Sequence, residues 1–363
     1  MPMFAAAKLA SAAAIAASNA SAPSVQDQPK LNLNNFNPQI SIVGDFASVL
    51  QAPRGTDKRS DLRELEFGFA ADADPFVRVE AYIGLHKHEG ETETDIEEAF
   101  GRYSNLGKGL SAKFGKIAAA IGRVHRNHTD ALGYLNYPMP LRDVLGEEGF
   151  RQTGASLSYL FPGDRFSELT LEVLDAGDDG PTFNTSHSKD PVYVGHYRTF
   201  FDFNDDLSAQ LGMTYLHGPT GENEDVHKHG KEKKHLGGTG NMYGVDWTMK
   251  WQPAGVKGRS ASLEAEAYWT KPTREASRSF GWFGRLQYEV APRWHAMVGY
   301  DSSQIPGTFD KREGWLAGLT LKVTEFHLWR LEFERIESNF ERDRNVLTLQ
   351  FQWVIGAHPA HKY

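Results

Sequence analysis

From Gln39 onward, apolar and polar side chains alternate with a period of two, the signature of strands with one apolar face. Val77, Val79, Ala81 and Ile83 share one face, while Arg78, Glu80 and Tyr82 share the other. The same alternation sets Ala261, Leu263, Ala265, Ala267 and Trp269 against Ser262, Glu264, Glu266 and Tyr268. Trp315, Ala317, Leu319, Leu321 and Val323 alternate with Gly318, Thr320 and Lys322; Leu347, Leu349, Phe351, Trp353 and Ile355 alternate with Thr348, Gln350 and Gln352. Runs of this kind centre near Val43, Glu66, Val79, Ala99, Phe114, Ala155, Leu171, His196, Leu211, Val245, Ala265, Leu286, Val298, Leu319, Leu331 and Phe351. They predict an all-β chain of about 16 strands of ~9–11 residues each, the length that crosses a bilayer at a tilt.

The connections alternate between short and long. Short ones fall at 73–75, 105–109, 161–164, 204–206, 291–293 and 324–325; long ones fall at 124–148, 175–190 and 218–238. Tight turns on one side and long loops on the other are expected of a transmembrane antiparallel β-barrel. Trp269, Trp282, Trp294, Trp315 and Trp353 lie near strand ends, where an interfacial aromatic girdle forms. A soluble sandwich would show the same local alternation, but sixteen such strands would leave it a large exposed apolar surface.

Composition narrows the class. Mean hydropathy is −0.49, and no stretch beyond the leader approaches the ~20 apolar residues of a spanning helix. A closed barrel is the other way to satisfy every backbone polar group in lipid. The chain has no cysteine, and its net charge of −8 argues against a nucleic-acid partner. At the N-terminus, Lys8, an alanine-rich stretch over 5–17 and Ala20-Ser21-Ala22 predict a signal peptide over 1–22. A periplasmic lead-in then covers 23–38, and the barrel 39–363. Outer-membrane lipid is the expected surrounding, and a homotrimer one expected assembly.

Several segments carry a family resemblance. They are Asn37-Pro38-Gln39-Ile40-Ser41-Ile42-Val43-Gly44-Asp45-Phe46, Arg63-Glu64-Leu65-Glu66-Phe67-Gly68-Phe69, Leu145-Gly146-Glu147-Glu148-Gly149-Phe150 and Ile355-Gly356-Ala357-His358-Pro359-Ala360-His361. In their order and spacing they resemble Gram-negative outer-membrane barrels labelled zinc-regulated or TonB-dependent outer-membrane receptors. That resemblance implies an outer-membrane location and a zinc-linked role. The roughly sixteen residues between the expected cleavage site and the first strand are too few for the plug of a TonB-dependent transporter. A porin-like route therefore fits better, since ~16 strands leave an aqueous channel.

Strand parity gives a candidate pore lining of Glu64, Glu66, Arg78, Glu80, Lys113, Glu264, Glu266, Arg285, Glu289, Arg330, Glu332 and Glu334, with Glu172 and Lys322 beside them. The acid excess favours cations, although the charges also suffice to satisfy one another across a wet lumen. Loop 124–148, with a compact turn expected at 137–141, is the gating candidate by analogy with porins. Histidine supplies the metal candidates: His86 and His88 at the end of the third strand, His125 and His128 at the start of the long loop, and His227, His229 and His235 after His217. All are expected on the outer side. Neutral imidazole binds zinc, copper and nickel. The lysines between His227 and His235 oppose a cation, and no spacing matches a closed tetrahedral site.

Motifs for serine hydrolases, zinc peptidases and nucleotide binding are absent, so no enzyme is expected. The sequence reading is a porin-like channel for small solutes, divalent metal such as zinc among them, with no required cofactor. Two alternatives stand beside it: a general or small-organic-solute porin with incidental histidines, and a non-transporting barrel that scaffolds a partner protein.

Overall fold

A computed structural model describes residues 38–356, apart from 53–59, 89–90, 105, 178–179, 185–187, 222, 226–232, 236–237, 257 and 274–276. The expected signal peptide, most of the lead-in, His227, His229, His358 and His361 lie outside the described residues, as do the side chains of His88 and His235.

Sixteen strands close into one antiparallel barrel. In chain order the first nine are β1 (Gln39–Gln51), β2 (Ser60–Asp72), β3 (Val77–His88), β4 (Glu91–Tyr103), β5 (Leu110–Ala118), β6 (Arg151–Leu160), β7 (Ser167–Leu174), β8 (Val192–Asp202) and β9 (Leu207–Thr220). A hairpin of β10 (Asn223–Asp225) and β11 (Lys233–His235) stands apart in the connection that follows. The barrel resumes with β12 (Gly238–Trp251), β13 (Ala261–Lys271), β14 (Ser279–Ala291), β15 (Trp294–Gln304), β16 (Lys311–Lys322), β17 (His327–Ser338) and β18 (Arg344–Gly356). Each barrel strand pairs with its neighbour in the chain, β9 pairs with β12 across the hairpin, and β18 returns to β1 to remove the last free edge. Every strand centre expected from the alternation falls inside one of these sixteen. Among the described residues, no helix is long and apolar enough to cross a membrane.

The apolar faces point outward. Trp315 is 61% exposed, and Leu171, Met213, Val298, Leu286 and Trp269 are exposed beside it around the wall. The buried face is polar instead: Glu66, Glu172, Asp246, Glu266, Arg285, Asp301, Arg330, Glu332 and Gln350 all line the interior. This inversion of the usual inside and outside suits a wall with lipid on one side and a wet lumen on the other.

Among the described residues the pairing shifts register at four places, between β1 and β18, β1 and β2, β3 and β4, and β14 and β15, and two of these bulges alter which side chains face the loop. Opposite β1, Asp45 pairs with Glu64 and Phe46 with Leu62, so Arg63 is an extra residue in β2. Opposite β3, Tyr82 pairs with Glu98 and Ile83 with Ile96, so Glu97 is an extra residue in β4. A bulge lets two consecutive side chains leave the same face. Arg63 with Glu64, and Glu97 with Glu98, therefore all approach the interior.

Candidate functional site

Residues 119–150, between β5 and β6, fold into the barrel rather than away from it. They are built from short turns at Val124–Arg126 and Thr129–Ala131 and from one helix, α1 (Met139–Leu145). The segment expected as a compact turn at 137–141 instead starts this helix: Pro138 is its N-cap, and Pro140 in the first turn needs no N–H donor there. Ile121, Val124, Leu132, Tyr134, Met139, Leu141, Leu145 and Phe150 are buried. The loop thus brings apolar side chains into an otherwise polar interior, while its backbone polar groups turn to the charged wall.

Those wall contacts reach strands on opposite sides of the lumen. On one side, Glu172 of β7 accepts the Ala120 N–H at 2.7 Å and Thr214 of β9 accepts that of Gly122 at 3.1 Å. Glu266 of β13 accepts the N–H groups of both Arg123 and Val124 at 2.8 Å, as well as the Tyr268 hydroxyl. Gly122 has a φ of +53°, and a Cβ there would run into Glu266 and Tyr268. Glycine is what permits this backbone to approach the wall so closely.

Across the lumen, Glu332 of β17 accepts the Leu135 N–H at 3.1 Å, and Arg330 donates to the Leu132 carbonyl at 2.8 Å. Tyr134 reaches back to β13, donating to Glu264 at 2.8 Å, and Asp301 of β15 accepts the Met139 N–H at 3.0 Å. Arg312 of β16 pairs with Asp143 of α1, and Gln352 of β18 donates to the Asp130 carbonyl at 2.9 Å. Arg63 of β2 reaches the Leu135 carbonyl at 3.1 Å and Asn136 Oδ1 at 2.7 Å. With β7, β9 and β13 held on one side and β2, β15, β16, β17 and β18 on the other, the loop lies across the lumen as a diaphragm.

The neck of the loop is closed by a histidine. His125 Nδ1 stands 3.0 Å from the Ala119 carbonyl, and its Nε2 accepts the Phe150 N–H at 2.6 Å. This pairing needs the neutral ring with its proton on Nδ1. Burial, reinforced by the nearby Arg151 charge, pushes its pKa down to about 3. His128 is the opposite case. Its Nδ1 lies 2.8 Å from Glu66 and 2.9 Å from Glu97, and its Nε2 lies 2.9 Å from Glu98. Burial disfavours its charge, but the Glu66 carboxylate and the hydrogen bonds to Glu66, Glu97 and Glu98 hold its pKa well above the ordinary imidazole range.

The expected outer placement of His125 and His128 is thereby corrected. Both are buried within the barrel, because the loop that carries them folds inward. His86, near the end of β3, lies 3.0 Å from Glu148 at the far end of the loop. His235 lies in β11 of the separate hairpin.

The expected lining residues divide by depth. Glu64, Glu66, Glu264, Glu266, Arg330 and Glu332 hold the loop directly. Arg285 is 1% exposed, bonds Asp301 at 2.5 Å and sits under the Tyr134 ring. Lys113 lies 4.6 Å from the centre of the Phe100 ring, and Glu334 is half-buried in β17. Arg78, Glu80 and Glu289 lie nearer the short-turn end, with Arg78 bonded to Asp72, Glu80 and Gln39. Glu289 accepts from Ser260 at 3.2 Å.

Parity reasoning missed Arg63 and Glu97 because a bulge turns each inward. Asp45, Glu98, Arg151, Asp246 and Asp301 were within reach of the same reasoning: each has a run of alternating neighbours, and Glu97-Glu98 is a conspicuous adjacent acid pair.

Comparison with known proteins places the fold. No family model matches the chain. An uncharacterized protein of Aquifex aeolicus is 26% identical over 396 residues, covering 90% of this chain and 80% of its own length. Among solved structures, OprB of Pseudomonas putida superimposes with a TM-score of 0.62 at 12% identity, covering 89% of this chain and 95% of its own. An anion-selective porin from Comamonas acidovorans gives 0.58 at 11% identity, with coverage of 88% and 99%. The trimer form of OmpT, an outer-membrane protein of Vibrio cholerae, gives 0.54 at 9% identity, with coverage of 88% and 98%. At these identities the likeness is one of fold: a closed barrel of the outer-membrane porin kind.

Proposed function

We propose that this chain is a bacterial outer-membrane channel, not an enzyme, through which small hydrophilic solutes pass at an aperture set by loop 119–150. The observation that carries the reading is the inward loop itself, hydrogen-bonded from Glu172 and Glu266 on one side of a charged lumen to Arg330 and Glu332 on the other. Outward leucines and tryptophans suit the lipid, and the porin-like fold of the solved neighbours agrees. The buried acids include Asp45, Glu66, Glu98, Glu172, Asp246, Glu266, Asp301 and Glu332, against Arg151, Arg285 and Arg330 among the buried bases. That imbalance gives the lumen a negative potential and favours small cations, divalent ions such as zinc included. The loop's many anchors favour a narrow resting aperture. Assembly as a homotrimer accords with the trimer form of the Vibrio neighbour.

Purified, refolded protein in a planar bilayer tests this. Cation-selective steps of small conductance are expected, with a reversal potential in a KCl gradient of the sign that marks K⁺ as the carrier. A correctly folded barrel that passes no current under any voltage or pH would refute the channel reading, and an anion-selective current would refute the assigned lumen charge.

A further inference from the structure

Around His128 the wall offers more acid than holding the loop requires. Glu66 comes from β2 and Glu97 and Glu98 from β4; His128 comes from the loop, and all four are buried. The single proton on Nδ1 of a charged imidazole serves one acceptor, yet carboxylate oxygens of Glu66 and Glu97 both stand there, at 2.8 and 2.9 Å. Glu98 takes the other ring nitrogen at 2.9 Å. Glu64 stands beside them, holding the Thr129 hydroxyl at 2.8 Å. Charges buried at this density are costly unless countercharges meet them.

Two features of the backbone make room for this cluster. The bulge at Glu97 turns inward a carboxylate that regular pairing would aim at lipid. Gly84 of β3 leaves the space that this carboxylate fills: a Cβ at position 84 would come within 2.5 Å of Glu97 Oε1.

We propose that Glu66, Glu97 and His128 form a binding site for a divalent transition-metal ion, with Glu64 and Glu98 supporting it, and that the bound ion latches the loop to β2 and β4. One ligand atom from each of the three lies within 4.8 Å of the others. In a tetrahedral zinc site such atoms are about 3.4 Å apart, so the contacts at 2.8 and 2.9 Å need open by only about half an ångström. One imidazole nitrogen with carboxylate oxygens selects zinc-like ions over calcium and magnesium, which take all-oxygen sets. The ion takes the place of the Nδ1 proton, which leaves to solvent, so binding strengthens as pH rises. The site stands on the geometry of the loop and the two strands; the effect of latching on current rests on the channel reading above.

Calorimetric titration of the EDTA-treated, refolded full-length barrel with Zn²⁺ tests the site without any transport assay. One equivalent is expected to bind, with Ca²⁺ and Mg²⁺ at least a hundredfold weaker. Glu97→Gln, which keeps shape and removes charge, and His128→Gln are each expected to weaken zinc at least tenfold. A triple His227→Ala, His229→Ala, His235→Ala variant is expected to retain it. X-ray absorption at the zinc edge should show a shell of nitrogen and oxygen only. Absence of stoichiometric zinc binding in a barrel shown to be folded by its heat-modifiable gel mobility overturns the proposal. So does zinc bound equally well by Glu97→Gln and lost in the triple variant. Zinc that binds in the calorimeter without altering bilayer current upholds the site and removes the latch; zinc binding by a barrel with no current at all upholds the site and refutes the channel.

Discussion

Glu266 is the anchor whose removal has the most readable consequence. Its Oε1 accepts two backbone N–H groups of the loop, from Arg123 and Val124, each at 2.8 Å, the first partly and the second fully shielded from solvent. A hydrogen bond contributes ~0.5–1.5 kcal/mol to a neutral acceptor and ~1.5–3 kcal/mol to a charged one, and a buried N–H left without an acceptor costs about 1–3 kcal/mol. Glu266→Ala abolishes both hydrogen bonds but also relieves the burial of a carboxyl group, so a net loss of about 2–4 kcal/mol is expected for the seated loop. That shifts the balance between seated and displaced loop by roughly 30- to 1000-fold. Single-channel recording should show longer or larger openings in Glu266→Ala, and trypsin should cut after Arg123 or Arg126 in the folded barrel. Glu266→Gln keeps a carbonyl acceptor and should show a smaller change. If Glu266→Ala folds, conducts as the parent does and resists trypsin equally, the loop is not held by this wall and the diaphragm account fails.

Further outcomes follow from the same contacts. His125 stays neutral when the loop is seated, with a pKa near 3, whereas a displaced loop returns it to the ordinary ~6.5. The displaced form therefore binds the extra proton between those values, so the seated loop loses stability as pH falls through that window and keeps its full share above it. Opening should increase on acidification below about pH 6.5, and His125→Asn should flatten that rise; an unchanged acid limb in the variant would count against it. Arg285→Met leaves Asp301 buried without its 2.5 Å partner, and should destabilise the barrel by about 3–5 kcal/mol. Arg285→Met with Asp301→Leu should recover part of that in urea unfolding, and a double variant no better than the single would refute the pairing. Leu331 of β17 faces Leu319 and Leu349 on the outer wall. Leu331→Arg should lower folding stability in lipid vesicles by ~2–4 kcal/mol, and a neutral effect would mean this face does not meet lipid.

The barrel was legible in the sequence because its causes are local. A period of two needs only neighbouring residues to express it, and a wall that is apolar outside and polar inside carries that period along each strand from β1 to β18. Strand number, the alternation of short and long connections, and the inward set Glu66, Glu266, Arg285, Arg330 and Glu332 follow from it. Tertiary structure alone decided three things. The loop at 119–150 turns inward because its acceptors and donors sit on strands such as β13 and β17, more than a hundred residues away. His125 and His128 follow it into the barrel, though the sequence shows them only as loop histidines. Arg63 and Glu97 face the interior because of an extra residue in the pairing of β2 with β1 and of β4 with β3. Register is a relation between strands, so alternation within one strand carries no trace of a bulge, and the glutamates that surround His128 become neighbours only once the barrel has closed.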